Sequence, residues 1–276
     1  DVYKRQPFIV PASIINSTAG ELSILRHLRG PNLAIGTACT SGLHAIGEAA
    51  WVIARDDADV MVAGGTESVI HPASIGGFDN IRALSRRNDD PTAASRPFDV
   101  ARDGFVLGEG AGMLVLEEYE HAVSRGAKIY CEIIGYGLNA DGYHFTAPRS
   151  EGAAACMRLA LKHAGITPQD VDMLNAHGTS TPMGDVSEAQ AVRAVFGDAA
   201  DKLLVTSTKG ATGHALGGAG GIESVFTVLS IRDQVVPATL NLTELDPKCP
   251  IRVCAGKPEK MPVHLSLIHI SEPTRL

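Results

Sequence analysis

Several classes of protein are excluded by what the sequence lacks. Positive charge is in short supply: the 24 lysines and arginines are outnumbered by 31 aspartates and glutamates, which gives a formal net charge of −7. A protein whose main partner is nucleic acid needs a basic stripe to displace counterions, so we predict no nucleic-acid partner. Because no run of about 18 apolar residues and no signal peptide occur, we also expect a cytoplasmic protein without a membrane segment.

Cysteine is scarce and shows no metal or disulfide pattern. The five cysteines are Cys39, Cys131, Cys156, Cys249 and Cys254. An odd number without a CxxC pair argues against a disulfide framework and favours a reducing compartment. The histidines lack HExxH or HxH spacing, and the glycine-rich segments 108–112 and 217–221 match no phosphate-binding motif. We therefore predict no bound metal and no bound nucleotide.

Short apolar segments alternate with segments of helical period along the chain. Predicted strands occupy 32–35, 58–65, the start of 112–126, 128–137, 171–178, 202–210 and 235–241. Predicted helices occupy 39–54, the end of 112–126, 151–165, 185–197 and 221–234. This alternation predicts βαβ units and an α/β fold with a largely parallel sheet. Segments 34–50 and 205–224 share one scheme of strand, small-residue turn and helix, which suggests two similar halves.

Cys39 lies in "GTACTSG", between a predicted strand and a predicted helix. At a helix start, the unpaired N–H groups and the positive end of the dipole favour the thiolate, which is the nucleophilic form. The small neighbours leave room for a substrate, as at a nucleophile elbow. A buried, inert cysteine fits the same residues equally well, since that is the common state of free cysteine.

Two histidines follow predicted strands. His177 opens "HGTSTPMGD", and the hydroxyls of Thr179 and Thr181 after it could bind an amide-bearing ligand, although a structural histidine remains the alternative. His214 follows Lys209 by five residues in "STKGATGHALGGAGG". A lysine cation nearby would keep this imidazole neutral, and a neutral imidazole can donate to a carbonyl oxygen.

Glu188, on the helix after His177, is a candidate partner for Lys209; the alternative is a solvated ion pair of little consequence. A cysteine with two histidines and a lysine fits acyl transfer with carbanion formation better than hydrolysis by a Cys–His pair. Two donors can stabilise the oxygen of an enolate as it develops.

The motifs around Cys39, His177 and His214, "GTACTSG", "NAHGTSTPMGD" and "STKGATGHALGGAGG", resemble the Cys-His-His signature of β-ketoacyl-acyl-carrier-protein synthases. The similarity extends from about residue 7 to residue 265 and is greatest to the elongating synthase II type. Synthases of the third type use a His-Asn pair, so His214 argues against them.

This resemblance implies a thiolase-like fold with α-β-α-β-α layers and two similar halves, of which the N-terminal part is incomplete. We expect the halves at 7–135 and 136–265. Residues 1–6 and 266–276 do not continue the adjacent patterns, and we predict that both are non-native ends. The family's Gly-Phe-Gly-Gly loop, which supplies an oxyanion donor, is absent. Loss of one such donor typically costs about 10²–10³ in rate, so we expect this chain by itself to be inactive or unstable.

The reaction that the resemblance implies is a decarboxylative Claisen condensation in fatty acid elongation. Cys39 takes an acyl chain from its carrier protein, and malonyl-carrier protein loses carbon dioxide to give an enolate. His177 and His214 stabilise that enolate, which then attacks the acyl-Cys39 thioester. Lys209 supports His214 and pairs with Glu188.

The resemblance also implies binding contacts and partners. Thr179 and Thr181 would bond the phosphopantetheine arm, Phe78 would form a wall of the acyl pocket, and Arg82 would contact the carrier protein. No cofactor is expected to be bound, because 4′-phosphopantetheine arrives on the acyl carrier protein. A homodimer is expected, with the strand near "MVAGG" pairing across the two-fold axis. The alternatives are a synthase I, a polyketide ketosynthase domain, or a non-catalytic partner such as a chain-length factor, in which the active cysteine is replaced.

Overall fold

The computed structural model describes residues 13–143 and 149–269, which form the mixed α/β fold that the sequence predicts. In this part of the chain the α-helices are α1 (Ser17–Arg26), α2 (Ser41–Ala54), α3 (Pro72–Asn80), α4 (Tyr119–Ser124), α5 (Ser150–Ala164), α6 (Gly184–Phe196), α7 (Lys209–Thr212) and α8 (Ala219–Asp233). The strands are β1 (Val60–Glu67), β2 (Gly110–Glu117), β3 (Met173–Asn175), β4 (Leu204–Thr206), β5 (Val235–Val236), β6 (Glu259–Lys260) and β7 (Ser266–Ile268). Among the described residues, no helix is long and apolar enough to cross a membrane.

β1 and β2 form an antiparallel pair in which Val62 lies opposite Val115. The strand predicted over 58–65 is confirmed as β1, which extends to Glu67. Gly64 and Gly65 lie inside it, and most of its side chains are at least partly exposed. This pair departs from the largely parallel sheet that the alternation of strands and helices predicts.

A second sheet is parallel and has the strand order β4-β3-β7, while β5 and β6 form a short antiparallel pair. Every residue of β3 and β4 is buried. The largest apolar cluster includes Met157 and Leu161 of α5 and Val192 and Phe196 of α6, so these two helices pack together beside the sheet. Gly165 ends α5 in the left-handed conformation, with φ 68°, at the last residue of the predicted helix 151–165.

Close backbone contacts at two glycines bring the start of α8 against α2 and β1. A Cβ atom on Gly42 of α2 would lie 2.8 Å from the amide nitrogen of Gly221, and one on Gly65 of β1 would lie 2.4 Å from the carbonyl oxygen of Gly217. Only a residue without a side chain fits at such distances. This packing places the segment before α8 next to the residues that open α2.

Two of the predicted strands are wrong. Segments 32–35 and 128–137 have no ladder partner within the described residues, and a strand is defined by its hydrogen-bonded neighbour. Segment 128–137 contacts a helix instead, since the N–H of Tyr136 donates to Nδ1 of His163 at 3.1 Å.

Residues 266–268, within the segment predicted to be a non-native end, form β7 at the edge of the parallel sheet. The N–H of His269 then donates to the carbonyl oxygen of Asn175 at 2.9 Å, which continues the ladder beyond β7. The fold therefore extends past residue 265. That this end is foreign stays a prediction, and residues 1–6 and 270–276 lie outside the described residues.

Candidate active site

Cys39 is the middle residue of a 3₁₀ turn that leads directly into α2, at the helix start that the sequence predicts. Ala38 before it has φ 51°, a left-handed conformation that is uncommon for a residue with a side chain. Ser41 Oγ accepts the N–H of Thr37 at 2.9 Å and donates to the carbonyl of Ala38 at 2.7 Å. These two bonds hold the strained turn and fix the position of the cysteine.

The parallel sheet and the contacts of α8 bring both histidines to this turn. His177 follows the carboxyl end of β3, and His214 follows β4 after the short helix α7. His214 Nε2 lies 3.0 Å from Cys39 Sγ, and the rings of His177 and His214 meet edge to face with centroids 5.1 Å apart. The three residues that the motifs single out therefore surround one point, although they are far apart in sequence.

The electrostatics of Cys39 differ from the prediction. Burial raises the pKa of its thiol to about 11, even though the positive charge of Lys209 acts in the opposite direction. The expectation that the helix start leaves a thiolate is therefore wrong for the resting protein, because desolvation of the sulfur outweighs the favourable charges. The thiol is protonated at neutral pH, in contact with Nε2 of His214.

Both imidazoles are neutral, as predicted for His214. Burial, followed by the charge of Lys209, holds the pKa of His214 well below its usual value. The same two causes lower the pKa of His177, together with the neighbouring His214 and His269. A neutral imidazole carries one N–H donor and one free lone pair, so each ring can either take up a proton or donate to an oxygen.

Lys209 pairs with Glu223 of α8, and the predicted pairing with Glu188 is wrong. The Lys209 ammonium and the Glu223 carboxylate are in direct contact, with 1% and 2% of their side chains exposed. Burial raises the pKa of Glu223 to about 7, and Lys209 opposes that shift. Glu223 reaches the ammonium because the tight packing at Gly42 and Gly65 draws α8 toward the site.

Glu188 instead holds the backbone that carries His177. Its carboxylate accepts the N–H of His177 and the N–H of Gly178, each at 2.7 Å, and contacts Nδ1 of His269 at 2.6 Å. Glu188 is therefore a positioning residue for His177.

Two buried charged residues, Arg102 and Asp185, hold the backbone of the loop after His177. Thr179 and Thr181, the predicted substrate hydroxyls, lie with their Oγ1 atoms 3.0 Å apart. Arg102 donates from Nε to the carbonyl of Thr181 at 3.0 Å, and Asp185 accepts the N–H of Ser180 at 3.1 Å. The sequence analysis did not single out Arg102 or Asp185.

Two family profiles match most of the chain. Residues 2–122 match the β-ketoacyl synthase N-terminal domain, and residues 130–243 match the β-ketoacyl synthase C-terminal domain. Cys39 lies in the first match, and both histidines lie in the second. The chain belongs to the β-ketoacyl synthase family. The structurally similar proteins are ketosynthases with the thiolase-like fold, which confirms the predicted fold class.

Relatives of known name lie within this family. The chain is 55% identical to 3-oxoacyl-[acyl-carrier-protein] synthase 2 of Vibrio cholerae over 242 residues, which are 87% of this chain and 58% of that protein. It is 53% identical to the protein of the same name from Coxiella burnetii over 262 residues, covering 94% of this chain and 63% of that one. The chain thus spans about three fifths of the length of these relatives.

Among solved structures, the chain superposes with a TM-score of 0.94 and 36% identity on a type II polyketide synthase complex. In that structure an acyl-carrier protein is bound to its ketosynthase, which holds a hexaketide. The match covers 98% of this chain and 67% of the other.

Phe78 and Arg82, the predicted contacts of the acyl chain and of the carrier protein, lie outside the Cys-His-His cluster of this β-ketoacyl synthase. The ring of Phe78 meets Phe105 edge to face at 5.4 Å, and Phe105 in turn meets His214 at 5.3 Å, so Phe78 reaches the site through a second ring. Arg82 follows α3, is exposed, and has φ 57°. The role of Arg82 in contacting the carrier protein stays a prediction. The role of Phe78 in the acyl pocket also stays a prediction.

Sequence reasoning missed Glu223 and Phe105. Glu223 lies among small and apolar residues on the buried side of α8. A single carboxylate in such surroundings indicates that a buried cation pairs with it. Phe105 carries no comparable signal, because its contact with His214 depends on a tertiary approach.

Proposed function

We propose that the protein is a 3-oxoacyl-[acyl-carrier-protein] synthase that elongates fatty acids by decarboxylative Claisen condensation. The observation that carries this proposal is the 3.0 Å approach of His214 Nε2 to Cys39 Sγ, with His177 at the same point. One nucleophile and two neutral imidazoles are what acyl transfer followed by enolate stabilisation requires.

In the first half-reaction, Cys39 Sγ attacks the carbonyl carbon of an acyl-carrier-protein thioester. The thiol proton passes to His214 Nε2, whose depressed pKa makes it release that proton again to the departing phosphopantetheine thiolate. A new thioester forms on Cys39, and the carrier protein leaves as a free thiol. The high pKa of Cys39 means that attack and proton transfer must be coupled.

In the second half-reaction, malonyl-carrier protein loses its carboxyl group as carbon dioxide, and the electron pair of the broken bond forms an enolate. Imidazole N–H groups of His177 and His214 stabilise the enolate oxygen. Nδ1 of each ring has no hydrogen-bond partner among the described residues, so either tautomer can form. The enolate carbon attacks the acyl-Cys39 carbonyl, Cys39 leaves as thiolate, and it takes a proton from solvent.

Acylation and decarboxylation test the two half-reactions separately. After long incubation with an acyl-carrier-protein thioester, we expect mass spectrometry to find the acyl group on Cys39, and Cys39→Ala to remove it. Cys131→Ala is the matched control. We expect His177→Ala and His214→Ala to lower whatever rate of carbon dioxide release from malonyl-carrier protein the chain retains by a further factor of about 10²–10³. Acylation of a cysteine other than Cys39 would refute the proposal.

A polyketide ketosynthase is the second candidate, and the superposition on the polyketide synthase complex favours it. The identity of 53–55% to two proteins named 3-oxoacyl-[acyl-carrier-protein] synthase 2, against 36% to that ketosynthase, supports fatty acid elongation. Comparing acylation by saturated acyl chains and by β-ketoacyl chains on their carrier proteins separates the two. A non-catalytic chain-length factor is disfavoured, because the active cysteine is present.

The proposal includes partners that the family resemblance suggests. Acyl carrier protein brings both substrates on its phosphopantetheine arm, which Thr179 and Thr181 would bind, and no other cofactor takes part. The complex of a related ketosynthase with its acyl-carrier protein supports this partner. Arg82 is an exposed cation suited to an acidic carrier protein. We also propose a cytoplasmic homodimer that pairs through β1.

A further inference from the structure

The site contains a set of metal ligands that no local spacing in the sequence reveals. Cys39, His177 and His214 each offer one ligand atom, and these three atoms lie within 4.8 Å of one another. In tetrahedral zinc sites the Zn–S distance is about 2.3 Å and the Zn–N distance about 2.0–2.1 Å, which places ligand atoms about 3.3–3.6 Å apart. Cys39 Sγ and His214 Nε2, at 3.0 Å, therefore need to separate by only about half an ångström to admit an ion.

We propose that Cys39, His177 and His214 bind Zn²⁺, and that the ion reversibly blocks the nucleophile. One thiolate and two imidazoles match the preferences of zinc, and three protein ligands leave a fourth position for water. On binding, the S–H bond of Cys39 breaks and its proton goes to solvent, while a bond from sulfur to zinc forms. No oxidation or reduction takes place.

The surroundings favour a site that fills and empties. Cys39 and His177 are partly exposed, so an ion can reach them from solvent. Permanent zinc sites usually fix each histidine through a partner on its other ring nitrogen. Within the described residues Nδ1 of both histidines lacks such a partner, which is what a weaker, exchangeable site requires.

The charges around the cluster also accommodate a cation. The positive charge of Lys209 acts on all three residues, but Glu223 pairs with it directly. Glu67 adds a negative charge that acts on Cys39, and its Oε2 accepts the N–H of Gly217 at 3.2 Å. The thiolate of Cys39 and the carboxylate of Glu67 together offset the two charges of the ion.

Cobalt substitution tests this site without any measurement of condensation. When Co²⁺ is added to the metal-free chain, we expect one ion to bind, with thiolate-to-cobalt charge-transfer absorption and the d–d bands of tetrahedral coordination. Zn²⁺ should displace the cobalt and bleach these bands. Zn²⁺ should also protect Cys39 from iodoacetamide, and a chelator should restore alkylation.

Variants identify the ligands. We expect Cys39→Ser to remove the charge-transfer band and His177→Asn or His214→Asn to weaken Zn²⁺ binding by at least about 100-fold, the upper range for losing even an outer partner of a zinc ligand. Cys131→Ser and His27→Asn, at sites away from the cluster, are matched controls that should leave binding intact. Near-ultraviolet circular dichroism establishes that each variant is folded.

Two results would overturn the metal site: a charge-transfer band that survives in Cys39→Ser, or Cys39 alkylation that Zn²⁺ does not slow. The site is independent of the proposed function. A chain that binds Co²⁺ through Cys39 but is acylated on a different cysteine would refute the condensing enzyme and leave the zinc site standing.

Discussion

At the scale of single residues, the protonation state and reactivity of Cys39 depend on the groups around its sulfur more than on its position before α2. Burial raises the pKa of its thiol to about 11, whereas the charge of Lys209 and a backbone hydrogen bond favour the thiolate. The contact with His214 Nε2 offers a different route to reactivity, because the proton can leave as the sulfur attacks. A cysteine held in this way is protected from indiscriminate reaction with small electrophiles.

This protonation state predicts a pH dependence. Because the thiolate is the reacting form, we expect the rate of Cys39 alkylation by iodoacetamide to rise continuously from about pH 7 to about pH 10. Quantitative peptide mass spectrometry at Cys39 measures it. A rate that levels off below about pH 8 would show that the resting cysteine is already a thiolate.

The buried pair of Lys209 and Glu223 gives a second prediction. Lys209→Met leaves the Glu223 carboxyl buried without its partner, so we expect the free energy of unfolding to fall by about 3–5 kcal/mol. The double variant with Glu223→Leu should lose clearly less, because no charge then remains in the core. Urea unfolding measures both.

Arg55→Met is the control for that comparison. Arg55 and Asp57 form an exposed ion pair, with side chains 53% and 55% exposed, and we expect a change of about 0.5 kcal/mol or less. If the double variant proves as unstable as Lys209→Met, the loss comes from packing and not from an unpaired charge.

At the scale of elements, the approach of α8 to α2 and β1 assembles the site. Gly65→Ala would place a methyl group 2.4 Å from the carbonyl oxygen of Gly217. We expect it to lower the free energy of unfolding by about 1–3 kcal/mol and to slow acylation of Cys39, because the chain must shift at the site.

Gly76→Ala is the matched control for that substitution. Gly76 lies inside α3, where nothing is within 4 Å of an added Cβ, and we expect a gain of about 0.5–1 kcal/mol. Thermal unfolding measures both variants. Equal stability of the two would contradict the close packing at Gly65.

Elements with strong local signals could be predicted from the sequence, whereas those that depend on distant partners could not. Helix α5 was located from the helical period of its apolar residues, and it ends at Gly165 in the left-handed conformation. Segment 128–137 looks like a strand by composition, but a strand forms only where a neighbour supplies hydrogen bonds. Composition does not reveal that neighbour.

Within the site too, residues with a local motif could be predicted, whereas contacts that depend on helix packing could not. Cys39, His177 and His214 stood out because each follows a turn of small residues in a distinctive motif. The partner of Lys209 was predicted wrongly, because choosing between Glu188 and Glu223 requires knowing which helix packs on the ammonium. The proposed zinc site was not predicted, because its three ligands come from separate segments and no local spacing shows metal-ligand geometry.

At the scale of the whole molecule, β1 presents one edge without a partner among the described residues. Free strand edges pair readily with other strands, which suits the proposed dimer. Val62 of β1 and Val115 of β2 lie directly opposite each other, and their side chains are 36% and 68% exposed. They therefore share one face of the sheet but not one edge.

These two valines test how the dimer forms. We expect Val62→Lys to shift the chain from dimer to monomer in analytical ultracentrifugation, because charge on an edge strand opposes pairing. Val115→Lys should leave the dimer largely intact. If both variants dissociate it, the subunits pack through the face of the sheet, and the proposal of edge pairing is wrong.

The separation of Cys39 from His214 by 175 positions has a consequence for protein synthesis. At translation rates of about 5–20 residues per second, the sulfur leaves the ribosome roughly 10 to 35 s before the imidazole. During that interval a nascent chain carries the cysteine without the group that accepts its proton. The proton transfer proposed between Cys39 and His214 therefore has no counterpart in an unfinished chain, because the two groups meet only after the later segment has been made and has folded onto the earlier one.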